Sequence, residues 1–268
     1  MTASQSVIKY CAIALAMLLS VAIIGSLIMS AAGAFALLGG KRGVGEMKTY
    51  EISGNIKTLE IEIGAAELNI RTGDRFSVES NLDKLKVTEK DGVLKISEKK
   101  RLSVTYNGKA ELNICIPQGT EFEKFVLDAG AGTVKIESIS AEKVSLDLGA
   151  GKTAVGRLSV SGKAEINGGA GKIDIADGRI NELAADIGAG SITLTGTLTG
   201  KCALDVGVGK AEIILNGGFD AYRFSVNKGI GDITVGGKSM SDGQEFGSGE
   251  NLIGLDSGIG SITVSFAD

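Results

Sequence analysis

A column of acidic and amide side chains is the first feature of this chain that could do chemistry. Each member stands two residues before the first glycine of a short glycine-flanked sequence, usually Gly-x-Gly. The column consists of Glu62, Asp128, Asp147, Asn167, Asp186, Asp205, Asn227 and Asp256. Carboxylates are ligands for Ca²⁺, but calcium-binding repeats normally supply more than one acidic position per turn. The pattern therefore favours a polar ladder, with a cation site at the five aspartates as the alternative.

A lysine column follows the same glycines and imitates a phosphate-binding loop. Gly151-Lys152-Thr153 matches the end of that motif, but Leu146 stands where the motif needs its first glycine. The same Gly-x-Gly-Lys sequence recurs at 169–172 and 207–210, which identifies it as part of a repeat. We therefore predict no nucleotide site and no cofactor.

The composition argues against common enzyme classes. The chain has no His, the most frequent general base and metal ligand at neutral pH. Three cysteines in 268 residues do not form a disulfide framework, and Cys202 reads as a buried thiol. We predict no catalytic residues. The enzymatic alternative is a carbohydrate-active β-helix that uses Asp147, Asp186 and Lys152.

The elements that must position these residues come from one repeated phrase. Its corners contain paired glycines, which are Gly130/Gly132, Gly149/Gly151, Gly169/Gly171, Gly188/Gly190, Gly207/Gly209, Gly229/Gly231 and Gly258/Gly260. An eighth, earlier copy begins at Gly64. A period near 20 in a β-branched, Gly-rich sequence is typical of a solenoid. Each unit, called a rung here, is predicted to be two short strands joined by a tight corner in which glycine is structural, because it allows positive φ or leaves room for a neighbouring backbone.

Apolar residues alternate on both sides of each corner. They lie five and three residues before the first glycine, as at Leu183 and Ala185, and four and six after it, as at Ile192 and Leu194. This alternation predicts strands whose apolar side faces a shared interior. The middle residue of the corner, such as Ala189 or Ile230, is expected to pack inside it. The fold predicted is an all-β, single-stranded parallel β-helix of ~19–20 residues per coil, right-handed by the usual preference.

Two segments interrupt the repeat. Residues 71–120 are predicted to be an inserted hairpin region, with turns at Asp91-Gly92 and Asn107-Gly108. Residues 238–250 are Gly/Ser-rich and predicted to be a surface loop, either a tolerated insertion or a binding site. The last strand, 261–266, is expected to be an open edge through which self-association is possible.

The N-terminus contains a long uncharged segment. Residues 10–40 are without charge and long enough to span a bilayer, which takes ~20 residues. We predict a tail at 1–9, a transmembrane anchor at 10–40, a linker at 41–48 and the solenoid at 49–268. The alternative is a signal sequence cleaved near Ala34 or Ala36, although the apolar run exceeds a typical signal peptide.

Charge gives a weaker indication of location and partners. Residues 49–268 carry 24 basic and 31 acidic side chains, so nucleic acid is excluded as an expected partner. The basic residues Lys41, Arg42 and Lys48 after the span would place the solenoid in the cytoplasm by the positive-inside rule. The cleavage sites and the solenoid itself favour the cell exterior, and we expect an extracytoplasmic solenoid on a single-pass membrane protein.

The soluble part resembles a known family. A membrane span, a hairpin region ending in Ile116-Pro117-Gln118-Gly119-Thr120, and rungs of the Leu-Asp-x-Gly-Ala-Gly-x-Ile-x-Ile type are similar to the bacterial "putative adhesin" β-strand-repeat family. The resemblance covers residues 47–268. It implies a β-strand-repeat fold in the cell envelope, and it supplies no catalytic residues. Some members of the family are similar to envelope stress-response proteins.

Together these observations predict a non-enzymatic, membrane-anchored surface solenoid. It would bind an envelope component, another protein or a host ligand, or act in an envelope stress response. The carbohydrate-active enzyme named above is one alternative. A membrane-linked polymerising scaffold is the other, and it would require a cytoplasmic solenoid with an uncapped end.

Overall fold

The described part of the chain is almost entirely β. A computed structural model describes residues 42–98 and 106–267. The strands are β1 (Arg42–Gly43), β2 (Lys48–Glu51), β3 (Thr58–Gly73), β4 (Ser77–Ser80), β5 (Leu85–Lys90), β6 (Val93–Glu98), β7 (Tyr106–Asn107), β8 (Glu111–Pro117), β9 (Phe122–Asn181), β10 (Leu183–Thr199), β11 (Lys201–Asn216), β12 (Tyr222–Lys228), β13 (Asp232–Val235), β14 (Lys238–Ser239), β15 (Glu245–Gly247), β16 (Asn251–Ser257) and β17 (Ser261–Ala267). A 3₁₀ turn occupies Phe219–Ala221.

The predicted membrane segment at 10–40 lies outside the described residues. Within the described ranges, no helix has the length and apolar character needed to cross a bilayer. β1 and β7 pair in parallel and belong to a small unit of their own. All other strands belong to a second unit, which contains the repeats.

The repeats stack in parallel and in register. Ala185 pairs with Leu204 before the corner, and Ile192 pairs with Ala211 after it, so both halves of a rung meet the equivalent residues 19 positions later. β9 is a continuous strand of 60 residues that runs through three rungs. This register confirms the parallel, solenoid-like stack predicted from the glycine spacing.

The interior is formed by the predicted apolar columns. Every residue five or three positions before the first glycine is buried, from Leu59 and Ile61 to Ile253 and Leu255. Burying a Leu or Ile side chain contributes roughly 1.5–3 kcal/mol, and no rung could bury its face alone. We call the sheet before the corners the first face and the sheet after them the second face.

The middle residues of the corners differ from the expectation. Ala131, Ala150, Ala170 and Ala189 are exposed, and Ile230 keeps 63% of its accessible surface. The prediction that they pack inside the corner is wrong. The inward position is taken by the residue before the first glycine in most rungs, and the chain has turned by the time it reaches the middle residue.

The last two rungs are stacked in the reverse of their chain order. β16 pairs in parallel with β11 on one side and β12 on the other. β17 pairs in the same way with β11 and β13. The expectation that the C-terminal strand is an open edge is therefore wrong, because both of its edges are paired. All rungs carry the same buried apolar columns. The β12–β13 rung and the β16–β17 rung could therefore each pack beside β11 with their apolar side chains inside.

The corners of these two rungs depart from the uniform corner that the repeat predicts. Gly231 and Gly260 are buried, whereas the second glycine of each of the five preceding corners keeps some exposure. Neither Gly231 nor Gly260 has a positive φ. A Cβ atom on Gly231 would overlap the Gly260 carbonyl oxygen, to which the buried Ser257 hydroxyl donates at 2.8 Å. At Gly231 and Gly260 glycine therefore serves the second of the two predicted roles, which is to leave room for a neighbouring backbone, and does not form a left-handed turn.

Residues 238–250, which we call the strap, are not a loop thrown out from one rung. β14 forms an antiparallel pair with β13, and β15 forms one with β12. The strap therefore lies along the outer edge of the last rung in space and covers that end of the stack.

The region 71–120 contains one of its two predicted hairpins. β5 and β6 are antiparallel around Asp91 and Gly92, whose φ angles of 51° and 77° suit a two-residue hairpin turn. The hairpin at Asn107-Gly108 is a wrong prediction. β8 pairs in parallel with β3 and antiparallel with β4, and these two neighbours occupy both of its edges.

Candidate functional site

The acidic column forms a continuous ladder along the first face. In stack order its members are Glu62, Asp128, Asp147, Asn167, Asp186, Asp205, Asp256 and Asn227. These residues point outward because they alternate with the buried columns on either side. Parallel strands lie ~4.7–4.9 Å apart, so side chains in neighbouring rungs contact each other directly.

Two amides bridge the ladder at separate places. Asn167 Nδ2 donates to Asp147 Oδ1 at 2.6 Å, and Asn227 Nδ2 donates to Asp256 Oδ2 at 2.5 Å. An amide between carboxylates supplies a donor and removes a like-charge contact. This is the hydrogen-bonded ladder that the sequence pattern favoured.

Three successive carboxylates lie between these bridges. Asp205 is flanked by Asp186 and Asp256 in the adjacent rungs. Partial burial, then the charges of Asp256 and Asp186, raise the pKa of Asp205 above its ordinary value. No ion pair within the described residues neutralises any of the three. Negative charge is therefore concentrated in this part of the ladder.

An open groove of about 490 Å³ lies beside these carboxylates. Its floor is made of small outward residues in four stacked rungs, Ala184, Ala203, Gly254 and Ser225. Glu165 occupies the equivalent position in the rung before Ala184. We call this feature the acidic groove; its floor is mainly apolar, and its charged lining is made only of carboxylates.

The described residues do not form a recognisable metal centre. No group of three or more His, Cys, Asp or Glu side chains within them is arranged to hold a metal ion. Asp186, Asp205 and Asp256 form the rim of the acidic groove. Asp128 and Asp147 belong to the ladder beyond it.

The residues proposed for an enzyme are only partly brought together. Asp147 and Asp186 lie on the first face with Asn167 between them in the ladder. Lys152 follows the corner and belongs to the second face.

The corner glycines allow adjacent rungs to approach closely. A Cβ atom on Gly209 would overlap the carbonyl oxygen of Gly190, and one on Gly151 would overlap that of Gly132. Both Gly151 and Gly209 also have positive φ. Glycine at these positions therefore keeps the ladder members of neighbouring rungs at strand spacing.

A second groove, of about 460 Å³, lies on the second face near the N-terminal end. The sequence did not predict it, because it depends on the pairing of β8 with β3. Glu67 accepts from Lys135 and Lys109, each at 3.0 Å, and these hydrogen bonds lower its pKa. Charges in this groove largely neutralise each other, which distinguishes it from the acidic groove.

The two cysteines within the described residues contribute no site. Cys202 is buried in an inward column, and burial raises the pKa of its thiol. Cys115 lies in β8 with intermediate exposure. Both are free thiols.

Comparisons with solved structures find matches of low sequence identity. A "putative adhesin" from Bacteroides fragilis is 14% identical, with 82% of this chain and 96% of that chain covered and a TM-score of 0.43. A "putative lipid binding protein" from Parabacteroides distasonis is 18% identical, with 85% and 100% covered and a TM-score of 0.41. A "putative cell adhesion protein" from Clostridium sporogenes is 14% identical, with 83% and 99% covered and a TM-score of 0.36.

The sequence itself identifies the family. No curated protein matches the chain. The family profile described as Toastrack DUF4097 matches residues 56–246, which include the hairpin β5–β6, all the corners but the last, and most of the strap. The chain belongs to the Toastrack family of β-strand-repeat proteins, DUF4097.

Proposed function

We propose that this protein is a non-enzymatic, membrane-anchored surface protein whose solenoid binds a ligand at the acidic groove. The ligand is an envelope component, another protein or a host molecule, in adhesin-like attachment or in an envelope stress response. The observation that carries the proposal is the groove itself, which extends over four rungs with a small-residue floor and a carboxylate rim.

Rigidity supports a binding role. β10, β11 and β16 have parallel neighbours on both sides, and β12 pairs in parallel with β16 and antiparallel with β15, so the floor and rim are fixed before a ligand arrives. A preformed surface reduces the ordering cost of association. In this proposal the rungs form a right-handed, single-stranded coil.

Charge defines the class of ligand. Glu165, Asp186, Asp205 and Asp256 are the charged groups of the groove, and all four are acidic. Complementary potential favours a ligand that presents positive charge next to an apolar body. The floor residues Ala184 and Ala203 leave room for that body to lie against the sheet.

The location proposed is the outer side of a cell membrane. Residues 10–40 would anchor the chain in the bilayer, with the solenoid extracytoplasmic. Cleavage near Ala34 or Ala36 would instead release it, and the proposal then becomes a secreted binding module.

Binding is tested with the full chain in detergent against immobilised glycans and peptides of graded charge. We expect retention of cationic members, reduced at least about tenfold by Ala203→Lys, which fills the groove and places a positive charge among its carboxylates. Thr193→Lys makes the same charge change on the second face and is the matched control. Equal retention by both variants contradicts the groove assignment. Turnover of a polysaccharide, lost in Ala203→Lys, would favour the carbohydrate-active alternative.

A further inference from the structure

The outer edge of the last rung is covered by nothing except the strap among the described residues. β12 and β13 use one edge to pair with β16 and β17. On the opposite edge, Arg223–Ser225 pairs with β15, and Thr234 and Val235 pair with β14. An uncovered strand edge is a ready template for another chain.

The strap forms hydrogen bonds with the backbone groups along this edge. The amide of Val226 donates to the Gln244 carbonyl at 2.9 Å, and Gly243 donates back to Val226 at 3.0 Å. The Lys228 amide donates to Asp242 Oδ1 at 2.9 Å. Backbone donors and acceptors that would pair with a second copy are therefore already occupied.

Two side chains of the strap pack on the protein's interior. Phe246 stacks on Phe224 with ring centroids 5.2 Å apart, and Met240 is 6% exposed. β14 and β15 have only two and three residues, and most other strap residues are exposed. The strap is thus a short segment held by local pairing and by two apolar contacts.

We propose that the strap inhibits self-association by covering β12 and β13, whose outer edge can pair with a second copy of the chain. When the strap is displaced, these strands pair antiparallel with the same strands of a second copy, giving an end-to-end dimer with two-fold symmetry. This inference concerns a contact between copies and does not depend on a ligand at the acidic groove.

A second copy fits this edge for geometric reasons. A two-fold axis perpendicular to the sheets reverses strand direction and leaves each side chain on its own face, so inward residues such as Val226 stay inward. Phe224 of each copy would then cover the other in place of Phe246. The complex is closed, since a two-fold contact uses the same edge of both copies. At the other end the edge strands β5 and β2 carry exposed Lys86, Lys90 and Lys48, which discourage strand addition.

The test uses the full chain in detergent, with Phe246→Asp and Met240→Asp combined to displace the strap. Glu245→Gln, an exposed change in the same strand, is the control. We expect proteolysis within residues 238–250 of the double variant and a concentration-dependent doubling of protein mass by sedimentation, with the β-sheet circular dichroism retained. A folded, strap-cleaved variant that stays monomeric overturns the proposal, as does continued protection of the strap.

A disulfide cross-link shows whether the dimer forms through this edge or through a different surface. Ser225 and Glu245 are directly paired, so Ser225→Cys with Glu245→Cys places two thiols within disulfide range. In the double-variant background, oxidation should return the chain to a monomer and reduction should restore the dimer. A dimer that persists with the strap locked would assign association to a different surface and overturn the proposal.

Discussion

Asp205 lies next to Asp256 in the stack although 51 residues separate them in the chain, because β16 is inserted beside β11. On the other side Asp205 adjoins Asp186. The inserted rung therefore creates the run of three carboxylates at the groove. Partial burial, and then the charges of Asp256 and Asp186, raise the pKa of Asp205 at its centre.

Asp205→Asn should increase the free energy of unfolding at neutral pH. The folded state holds the Asp205 proton to higher pH than the unfolded state does, so wild-type stability falls as pH rises through that interval. The gain at neutral pH is expected to be under about 1 kcal/mol because solvent screens the carboxylates, and it should shrink as pH is lowered. Denaturant titrations from acid to neutral pH measure it. Asp174→Asn on the second face controls for net charge, and an equal pH-dependent gain there would refute the explanation.

Asn167→Asp should destabilise the ladder. The change removes the donor that binds Asp147 and leaves seven successive carboxylates from Glu62 to Asp256. We expect a loss of about 1 kcal/mol at neutral pH that diminishes in acid as the carboxyl groups protonate. Asn55→Asp makes the same change at an exposed site away from the ladder. Urea unfolding of both variants decides, and equal losses would contradict a role for the bridge.

Gly151→Ala should cost roughly 2–4 kcal/mol in unfolding free energy. The new methyl group would overlap the Gly132 carbonyl, and φ is +148°. Gly119→Ala separates the two causes, because φ there is +81° and no atom lies within 4 Å of the added carbon. That control should lose only about 1–2 kcal/mol. Similar losses in the two variants would show that close approach of rungs does not matter.

Asn251→Ala should loosen the inserted C-terminal rung. The Asn251 side chain accepts from the Gly200 amide and donates to the Ala221 carbonyl, each at 3.1 Å, and so joins the two rungs that flank it. Loss of both bonds is expected to cost about 1–3 kcal/mol. Amide hydrogen exchange should accelerate in β16 and β17, whereas Thr263→Ala on the outer side of β17 should change it little. Unchanged hydrogen-exchange protection in Asn251→Ala would contradict a role for these two hydrogen bonds in holding the rung.

The parts of the fold that follow from period-two alternation could be predicted. Leu183, Ala185, Ile192 and Leu194 were assigned to the interior from their spacing alone, and all four are buried. Alternation does not continue around a corner, where the chain changes direction. That is why the exposed position of Ala189 was missed.

The order of the last rungs could not be predicted, for a different reason. β12 and β16 place Phe224 and Ile253 in the same inward column, so both orders bury the same kinds of residue. The choice depends on connecting segments and on the strap, whose pairing has no periodic signal. The sequence carries a weak indication of the acidic groove, because the outward residues Ala184, Ala203 and Gly254 of neighbouring rungs are all small.

The burial of two corner glycines also had no signal in the repeat. Gly231 and Gly260 stand in the same motif as Gly151, yet they are buried and lack its positive φ. Their environment depends on the contact between the two reordered rungs, in which Gly231 lies against the Gly260 carbonyl. A motif read along the chain cannot reveal a contact that depends on rung order.

We propose that the solenoid is displayed outside the cell on an N-terminal anchor. The direct test places an epitope tag after Asp268 and compares labelling of intact and permeabilised cells, with bound and released fractions resolved by size. We predict labelling of intact cells by a full-length, cell-bound chain. Labelling only after permeabilisation would contradict the surface assignment and favour an internal scaffold or a stress-signalling partner.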